Sequence, residues 1–304
     1  MSRDGLRDRI VVQFSYRGER ADVWRAFDRF LDTSGFLNLG YSPWYLPHVV
    51  GSSQRRLAAM VGADLVRRGF GSGSGSGPED ARLLDLGCGR GGPAIHLADA
   101  YGFDVTGVDL VPYNVAAAVA NAARADADPA FLVGDAATLP FREDAFDGCV
   151  ALDSLVYVPD RAAAFGEIAR VVRDRGLVAV SDLVVREDPD RSARAAVDAF
   201  AEAWDMPPLS TTRQYRHGMG EAGLAVDAVR DITRNSTGRF RTWTRLYLAI
   251  ADRFGPGLDR LLGRWDLDAA TITRQVRRAH AALPHLRHVI VYASPRSPPP
   301  ATTR

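Results

Sequence analysis

Between Arg82 and Val185 the chain alternates short, continuously apolar strands with helical stretches, and this alternation restricts the fold more than any other feature. "RLLDL" (82–86), "DVTGVDL" (104–110), "AFLVGD" (130–135), "FDGCVALD" (146–153) and "GLVAVSDLVV" (176–185) read as strands. Between them lie "PAIHLADAY" (93–101), with Pro93 at a favoured first helical position, "YNVAAAVANAARA" (113–125) and a helix over 160–173. Strands with no polar face must be covered on both sides, so the pattern predicts an α/β fold around a mostly parallel sheet. Past 186 the rhythm loosens into helices near 190–204 and 211–222, a strand at about 224–232, helical stretches over 240–281 and a last strand, "HVIVYAS" (288–294). That makes seven strands in prospect.

Ahead of the sheet, the chain reads as helical at 20–32 and again at about 52–68. "GSGSGSGP" at 71–78 is a Gly/Ser linker of the flexible type. The resulting organisation is an N-terminal helical lid segment over 1–70, the linker over 71–78 and a core over 79–189. A helical cap with the last sheet strands follows over 190–294, then a proline-rich disordered tail over 295–304. Composition fits a globular protein without a strong field: 46% hydrophobic, 25% charged, net charge +1. No apolar run reaches the roughly 18 residues of a membrane helix, and the start lacks a secretion signal. Two cysteines, Cys88 and Cys149, are too few for a disulfide scaffold. A cytoplasmic protein is expected, without membrane insertion, as a monomer or homodimer. The sequence holds no lysine, all 38 basic residues being arginine. Schiff-base, phosphate-binding and general-base lysines are thereby excluded together.

"LLDLGCGRGG" (83–92) sits where the first strand turns into the first helix. Gly87, Gly89 and Gly92 have the GxGxxG spacing of a dinucleotide loop, which lets backbone N–H groups approach a ligand. Asp109 ends the next strand, 22 residues after Gly87, where a carboxylate accepts from ribose hydroxyls. Both features suit NAD and S-adenosylmethionine (SAM) equally. Three others separate the two. Asp85 would repel a pyrophosphate but attract the ammonium of SAM. Asp135 closes the third strand, within reach of an adenine amino group. The Tyr-x-x-x-Lys pair of a dehydrogenase cannot be made without lysine.

"LLDLGCGRGG", "VTGVDL" and "VGDAATLPFREDAFDGCVALDSLVYVPDRAAAFGEIARVVRDRGLVAVSDL" together resemble the class I SAM-dependent methyltransferases. Within them the chain resembles the small-molecule branch of quinone, tocopherol-pathway, sugar and macrolide O-methyltransferases. The resemblance is strong over about 82–185 and weak over "YRHGMGEAGLAVDAVRDIT" (215–233). It implies a Rossmann-like sheet of seven strands, an N-terminal helical lid and a helical cap inserted before the last strand. It also implies that Asp85, Gly87, Cys88 and Gly89 line the methionine end of SAM. Asp109 would hold the ribose, Leu110 would pack on the adenine, Asp135 and Ala136 would hold its edge, and Leu152 with Asp153 would close the site.

The implied reaction is methyl transfer to a small, largely apolar acceptor, at a hydroxyl oxygen. Alternatives are methylation of carbon on a quinol, phenol or prenyl compound, or a catalytically silent SAM-binding module. Nucleic acid is not expected: there is no basic stripe and no Asn/Asp-Pro-Pro-Tyr motif after the fourth strand. Where "SLVYVPD" has Tyr157, the macrolide and sugar branch often has the histidine read as the base. A phenol with a pKa near 10 is a poor base at neutral pH. His217 and Asp153 are the other catalytic candidates, with His48 and His96 behind them. "FLNLGYSPWYLP" (36–47) resembles a segment that folds over cofactor and acceptor, which would bring Tyr41 and Trp44 near the sulfonium. Trp204 and Trp243 are expected to line the acceptor side of the cap.

Overall fold

The computed structural model describes residues 3–17, 21–30, 35–70 and 81–296. The linker at 71–78 and the tail beyond 296 lie outside the described residues. Among the described residues seven strands form one sheet. They are β1 (Arg82–Leu86), β2 (Asp104–Asp109), β3 (Ala130–Val133), β4 (Phe146–Leu152), β5 (Val172–Val185), β6 (Leu224–Asp231) and β7 (Leu286–Pro295), in the order β3-β2-β1-β4-β5-β7-β6. The first five run parallel, while β7 is antiparallel to both β5 and β6. The expected mostly parallel, seven-stranded sheet is present. Its order reverses between β1 and β4, the place where open sheets hold ligands beyond their carboxyl ends.

The helices are α1 (Arg3–Phe14), α2 (Asp22–Phe30), α3 (Ser52–Arg67), α4 (Gly92–Tyr101), α5 (Pro112–Ala125), α6 (Arg161–Val171), α7 (Arg191–Ala203), α8 (Thr212–Glu221), α9 (Thr237–Gly263) and α10 (Ala269–Ala282). Successive strand residues face opposite layers, as pleating requires. Leu84, Cys149, Val178 and Val291 meet α6 and α8, whereas Leu83, Val150, Ala179 and Ile290 meet α3 and α4. Each fully buried side chain of this size contributes about 1.5–3 kcal/mol. These two apolar layers therefore hold the sheet rigid while its carboxyl end stays open for α1, α2, α7 and α10 to cover.

Two features differ from the sequence expectation. First, α3 is not part of a lid: Leu57, Val61 and Leu65 are fully buried in the sandwich layer against the sheet. Only α1, α2 and the segment after Gly35 lie over the carboxyl end. Second, α1 itself was not foreseen. The cap also arrives in two pieces, α7 before β6 and the α9–α10 pair between β6 and β7. Within α9, Pro256 removes a backbone donor and Phe254 leaves helical geometry at φ −128°, so the helix kinks there.

A buried polar contact ties α8 to the sheet: Tyr215 Oη donates to Asp182 Oδ2 at 2.7 Å. Burial pushes the Asp182 carboxyl from its usual 3.8 up to about 7, with the Asp153 charge adding to the rise. Between those two values the folded protein keeps a proton that the unfolded chain gives up. Stability therefore falls as pH rises from 3.8 to about 7 and is level above that. Asp182→Asn, which still accepts from Tyr215, is expected to remove this slope. Urea midpoints of both proteins at pH 5 and pH 8 measure it, the wild type losing ground relative to the variant at the higher pH.

Candidate active site

The loop after β1 is shaped by steric necessity. Gly87 sits at φ +76°, and a Cβ there would lie 2.3 Å from the Ser154 Cβ. Ser154 in turn donates from Oγ to the Leu86 carbonyl at 2.6 Å, locking the β1 and β4 ends together. Asp109, at the end of β2, fixes the loop from the other side. Its Oδ2 accepts from Gly89 N at 2.9 Å, and its Oδ1 accepts from Val111 N at 2.9 Å and Asn114 Nδ2 at 3.1 Å. Burial raises the Asp109 carboxyl, and these three donors oppose the rise. Each carboxylate oxygen has two lone pairs, so Oδ2 still has capacity for a ligand hydroxyl.

A cavity of about 460 Å³ opens over these strand ends, within the range of cofactor sites. Gly87, Cys88, Gly89, Asp109, Leu110, Asp135, Ala136, Leu152, Asp153 and Tyr157 all line it, as the sequence motifs suggested. Cys88 is buried, and burial with the Asp109 and Asp85 charges holds its thiol protonated well above the usual range. Asp85 does not line the cavity. It lies beneath the loop, 1% exposed, and accepts from the Ala94 amide in the first turn of α4. Asp135 lines the cavity but is not free: Arg7 of α1 forms an ion pair with it across the mouth.

The position of Asp85 decides between the two cofactors left open by the glycine spacing. A dinucleotide pyrophosphate rests on the N-terminus of the helix after the loop. Here the chain's own Asp85 takes an amide of that first turn, and burial with the Asp109 charge raises its carboxyl to about 7. The comparisons agree. A family model described as "Methyltransferase domain" matches residues 84–180. The chain is 31% identical over 219 residues to 27-O-demethylrifamycin SV methyltransferase of Amycolatopsis mediterranei, covering 70% of this chain and 76% of that protein. It is 30% identical over 273 residues to O-methyltransferase cnsE of Penicillium expansum, covering 86% and 90%. The chain belongs to the class I SAM-dependent methyltransferases. It is of their small-molecule type, with SAM as cofactor. The [4+2]-cyclase SpnF has the same fold, with a TM-score of 0.68 at 22% identity and coverage of 92% of this chain and 95% of that one.

A second chamber of about 100 Å³ adjoins the cofactor cavity of this methyltransferase. Trp24, Leu37, Asn38, Asp153 and Tyr157 line both spaces, so they form the partition. Asp153 follows β4 in a left-handed conformation, φ +56°. Its Oδ1 accepts from Ser181 Oγ at 2.6 Å and His288 Nε2 at 2.7 Å; its Oδ2 accepts from Leu39 N at 2.7 Å. His288 is fully buried, and its Nδ1 meets Ser236 Oγ at 2.6 Å. Burial would raise the Asp153 carboxyl, but His288, Ser181 and Leu39 outweigh it and hold it below the usual range. Tyr157 goes the other way: burial and the carboxylates of Asp153, Asp182 and Asp205 push its phenol far up.

Several expected site residues lie elsewhere. His217 is exposed on α8, which packs on α6 under the sheet, and it lines neither space. Trp44 is 78% exposed and Tyr41 packs toward α3, so neither reaches the partition. The cause is the turn at Gly40 (φ +78°), after which Tyr41 N bonds Ser53 O and Ser42 N bonds Asn235 O, both at 2.8 Å. Trp243 is half-exposed on α9 and donates to the His48 carbonyl at 2.9 Å. Trp204 does line the acceptor-side chamber. His48 lines it too, but burial and the charges of Arg56 and Arg239 lower it to about 4, and His96 is half-buried on α4 outside both spaces.

The aromatic wall comes instead from residues the sequence reading did not single out. Phe14 stacks obliquely on Trp24 at 5.2 Å and edge-on to Tyr157 at 5.1 Å, and Trp24 meets Trp204 edge-on at 5.6 Å. His288 was also missed; a histidine in an otherwise apolar strand was the available signal.

Asp109→Ala removes the three hydrogen bonds that hold the glycine loop. Isothermal titration with S-adenosylhomocysteine is expected to show affinity weakened by more than about tenfold, with the far-UV spectrum unchanged.

Proposed function

We propose that this methyltransferase methylates a hydroxyl oxygen of a free small molecule, with Asp153 as the group that receives the hydroxyl proton. The reading rests on one observation above others: the Asp153 carboxylate faces both the cofactor cavity and the adjoining chamber. Two relatives whose printed names are a 27-O-demethylrifamycin SV methyltransferase and an O-methyltransferase support oxygen as the methylated atom.

In this reading Gly87, Gly89, Asp109, Leu110, Asp135 and Ala136 hold the cofactor. SAM, when bound, supplies an electrophilic methyl on a positively charged sulfur. The protein's work is to exclude water, orient the acceptor and take one proton. Ser181, His288 and Leu39 N fill three of the roughly four acceptor sites of the Asp153 carboxylate, leaving one on Oδ2. An acceptor hydroxyl donating to that site points its own lone pair away, and alignment of this kind carries much of the rate. As the acceptor oxygen gains its methyl, its proton passes to Asp153 Oδ2. Tyr157, held protonated, orients rather than removes a proton. Because Asp153 stays ionised below the usual carboxylate range, this step keeps its base down through mildly acid pH.

Arg7 crosses the cavity mouth to Asp135, so cofactor entry requires α1 to shift or Arg7 to swing aside. Both cysteines are buried free thiols, which accords with the reducing cytoplasm that the composition suggested. The acceptor is not nucleic acid in this reading, since the chamber is narrow and no arginine lines it.

A screen of phenols, quinols and polyketide alcohols with methyl-labelled SAM tests the proposal, the product expected being an O-methyl ether. On the best acceptor, Asp153→Asn is expected to lower kcat by about 100-fold or more at nearly unchanged S-adenosylhomocysteine affinity. Tyr157→Phe is expected to lower it only modestly. Carbon-methylated product, or full activity in Asp153→Asn, would overturn the assignment.

A further inference from the structure

The acceptor-side chamber is almost wholly apolar, walled by residues such as Phe27, Leu39, Val156, Leu183 and Phe200. Two of the polar residues in its wall carry donors that nothing in the protein uses. Asn38 is 4% exposed and its Nδ2 has no hydrogen-bond partner; Trp204 is 7% exposed and its Nε1 has none either. Buried N–H groups are nearly always paired, and an unpaired one is unfavourable because it has lost water without replacement. Two such donors in one small chamber call for a shared explanation.

Neither donor is free to turn away. Asn38 Oδ1 accepts from Gly40 N at 2.9 Å, which fixes which end of the amide carries the unused N–H groups. The Trp204 ring is held edge-on to Trp24 at 5.6 Å and against Phe200 at 6.0 Å. Among the described residues no arginine lines the chamber and Asp153 is its one carboxylate, which repels anions; the sequence has no lysine.

We infer that Asn38 and Trp204 are the specificity residues of this site, and that its acceptor is a neutral hydroxylated compound carrying carbonyl or ether oxygens on an apolar frame. Those oxygens take the two unused donors, while the hydroxyl to be methylated addresses Asp153. The Asp153 carboxylate in the wall, with no arginine among the described lining residues, disfavours diphosphates and carboxylates. The inference deepens the oxygen-methylation reading above and rests on it for the role of the hydroxyl.

A matched pair of probes of a size suited to the chamber tests it: 3-hydroxyacetophenone and 3-ethylphenol share a one-ring frame and the position of the hydroxyl, and only the first has a carbonyl. With S-adenosylhomocysteine present, the wild type is expected to bind the ketone at least about tenfold more tightly, because a site built to donate rejects the analogue that leaves its donors unpaired. Asn38→Asp keeps the acceptor for Gly40 and reverses the donor; Trp204→Phe removes the N–H and keeps an aromatic ring. Each is expected to lose most of the preference; Trp204→Phe, which lies outside the cofactor cavity, is expected to bind the ethylphenol and S-adenosylhomocysteine within about threefold of wild type. Equal binding of the two probes by the wild type, binding of neither, or a preference that survives in both variants overturns the inference. Labelled transfer to the same probes separates it from the function reading. A carbonyl preference without ether formation leaves the recognition residues standing and sinks oxygen methylation. Ether formation from both probes at equal affinity does the reverse.

Discussion

The Asp153 carboxylate is the point on which the rest of the site depends. It closes β4 in a left-handed turn and receives hydrogen bonds from β5 through Ser181, from β7 through His288 and from the N-terminal segment through Leu39. Four stretches far apart in sequence are thereby registered to one side chain. His288 is oriented from behind by Ser236 at the start of α9, so the α9 end of the cap is tied to the same knot. A charge buried this deeply persists only when its oxygens are nearly saturated. The same saturation that keeps it ionised leaves one direction open, toward the two spaces it divides.

Around that knot the N-terminal helices close the site by charge as well as by packing. Arg7 pairs with Asp135 beside β3, and Arg9 Nε meets Asp205 Oδ1 at 2.8 Å after α7. From α2, Asp22 accepts from the Asp268 amide at 2.8 Å, at the start of α10. Between these polar ties, Phe14 and Trp24 supply the apolar wall. Pairs of this sort on half-exposed arginines contribute little to stability. Their value here lies in position: they join a cover to a rigid sheet through contacts that can break and re-form.

The strands, the glycine loop and its acidic partners were legible in the sequence because each is local. Strand periodicity and the spacing from Gly87 to Asp109 are fixed by short-range geometry, and the structure has those strands and that loop where the pattern implied, whereas Asp85 lies beneath the loop and off the cavity. The residues that were misplaced depend on distant partners. Trp44 sits in a segment resembling a lid, but the turn at Gly40 and the Asn235 contact carry it outward. In α1, "RDGLRDRIVVQF" shows no clean apolar stripe, and its helix is meaningful only once Leu6, Ile10 and Phe14 dock on Val111. His288 lies 135 positions from Asp153, and no local rule joins a histidine in a C-terminal strand to a carboxylate after β4.

The sheet also sorts its charge. Asp153 and Asp182 are both buried, the charge of the first raises the second, and the two are driven in opposite directions. Asp153 has Ser181, His288 and the Leu39 amide and is held below the usual range; Asp182 has the Tyr215 phenol and a longer contact from the Leu183 amide, and rises to about 7. Two carboxylates pushed apart in this way mark the division between a charged group and a neutral one. The charged one faces the two cavities, where a cation and a proton donor are to meet, and the neutral one is turned into the core. The fold therefore keeps a negative charge at the partition by giving Asp153 three short hydrogen bonds, where Asp182 has one.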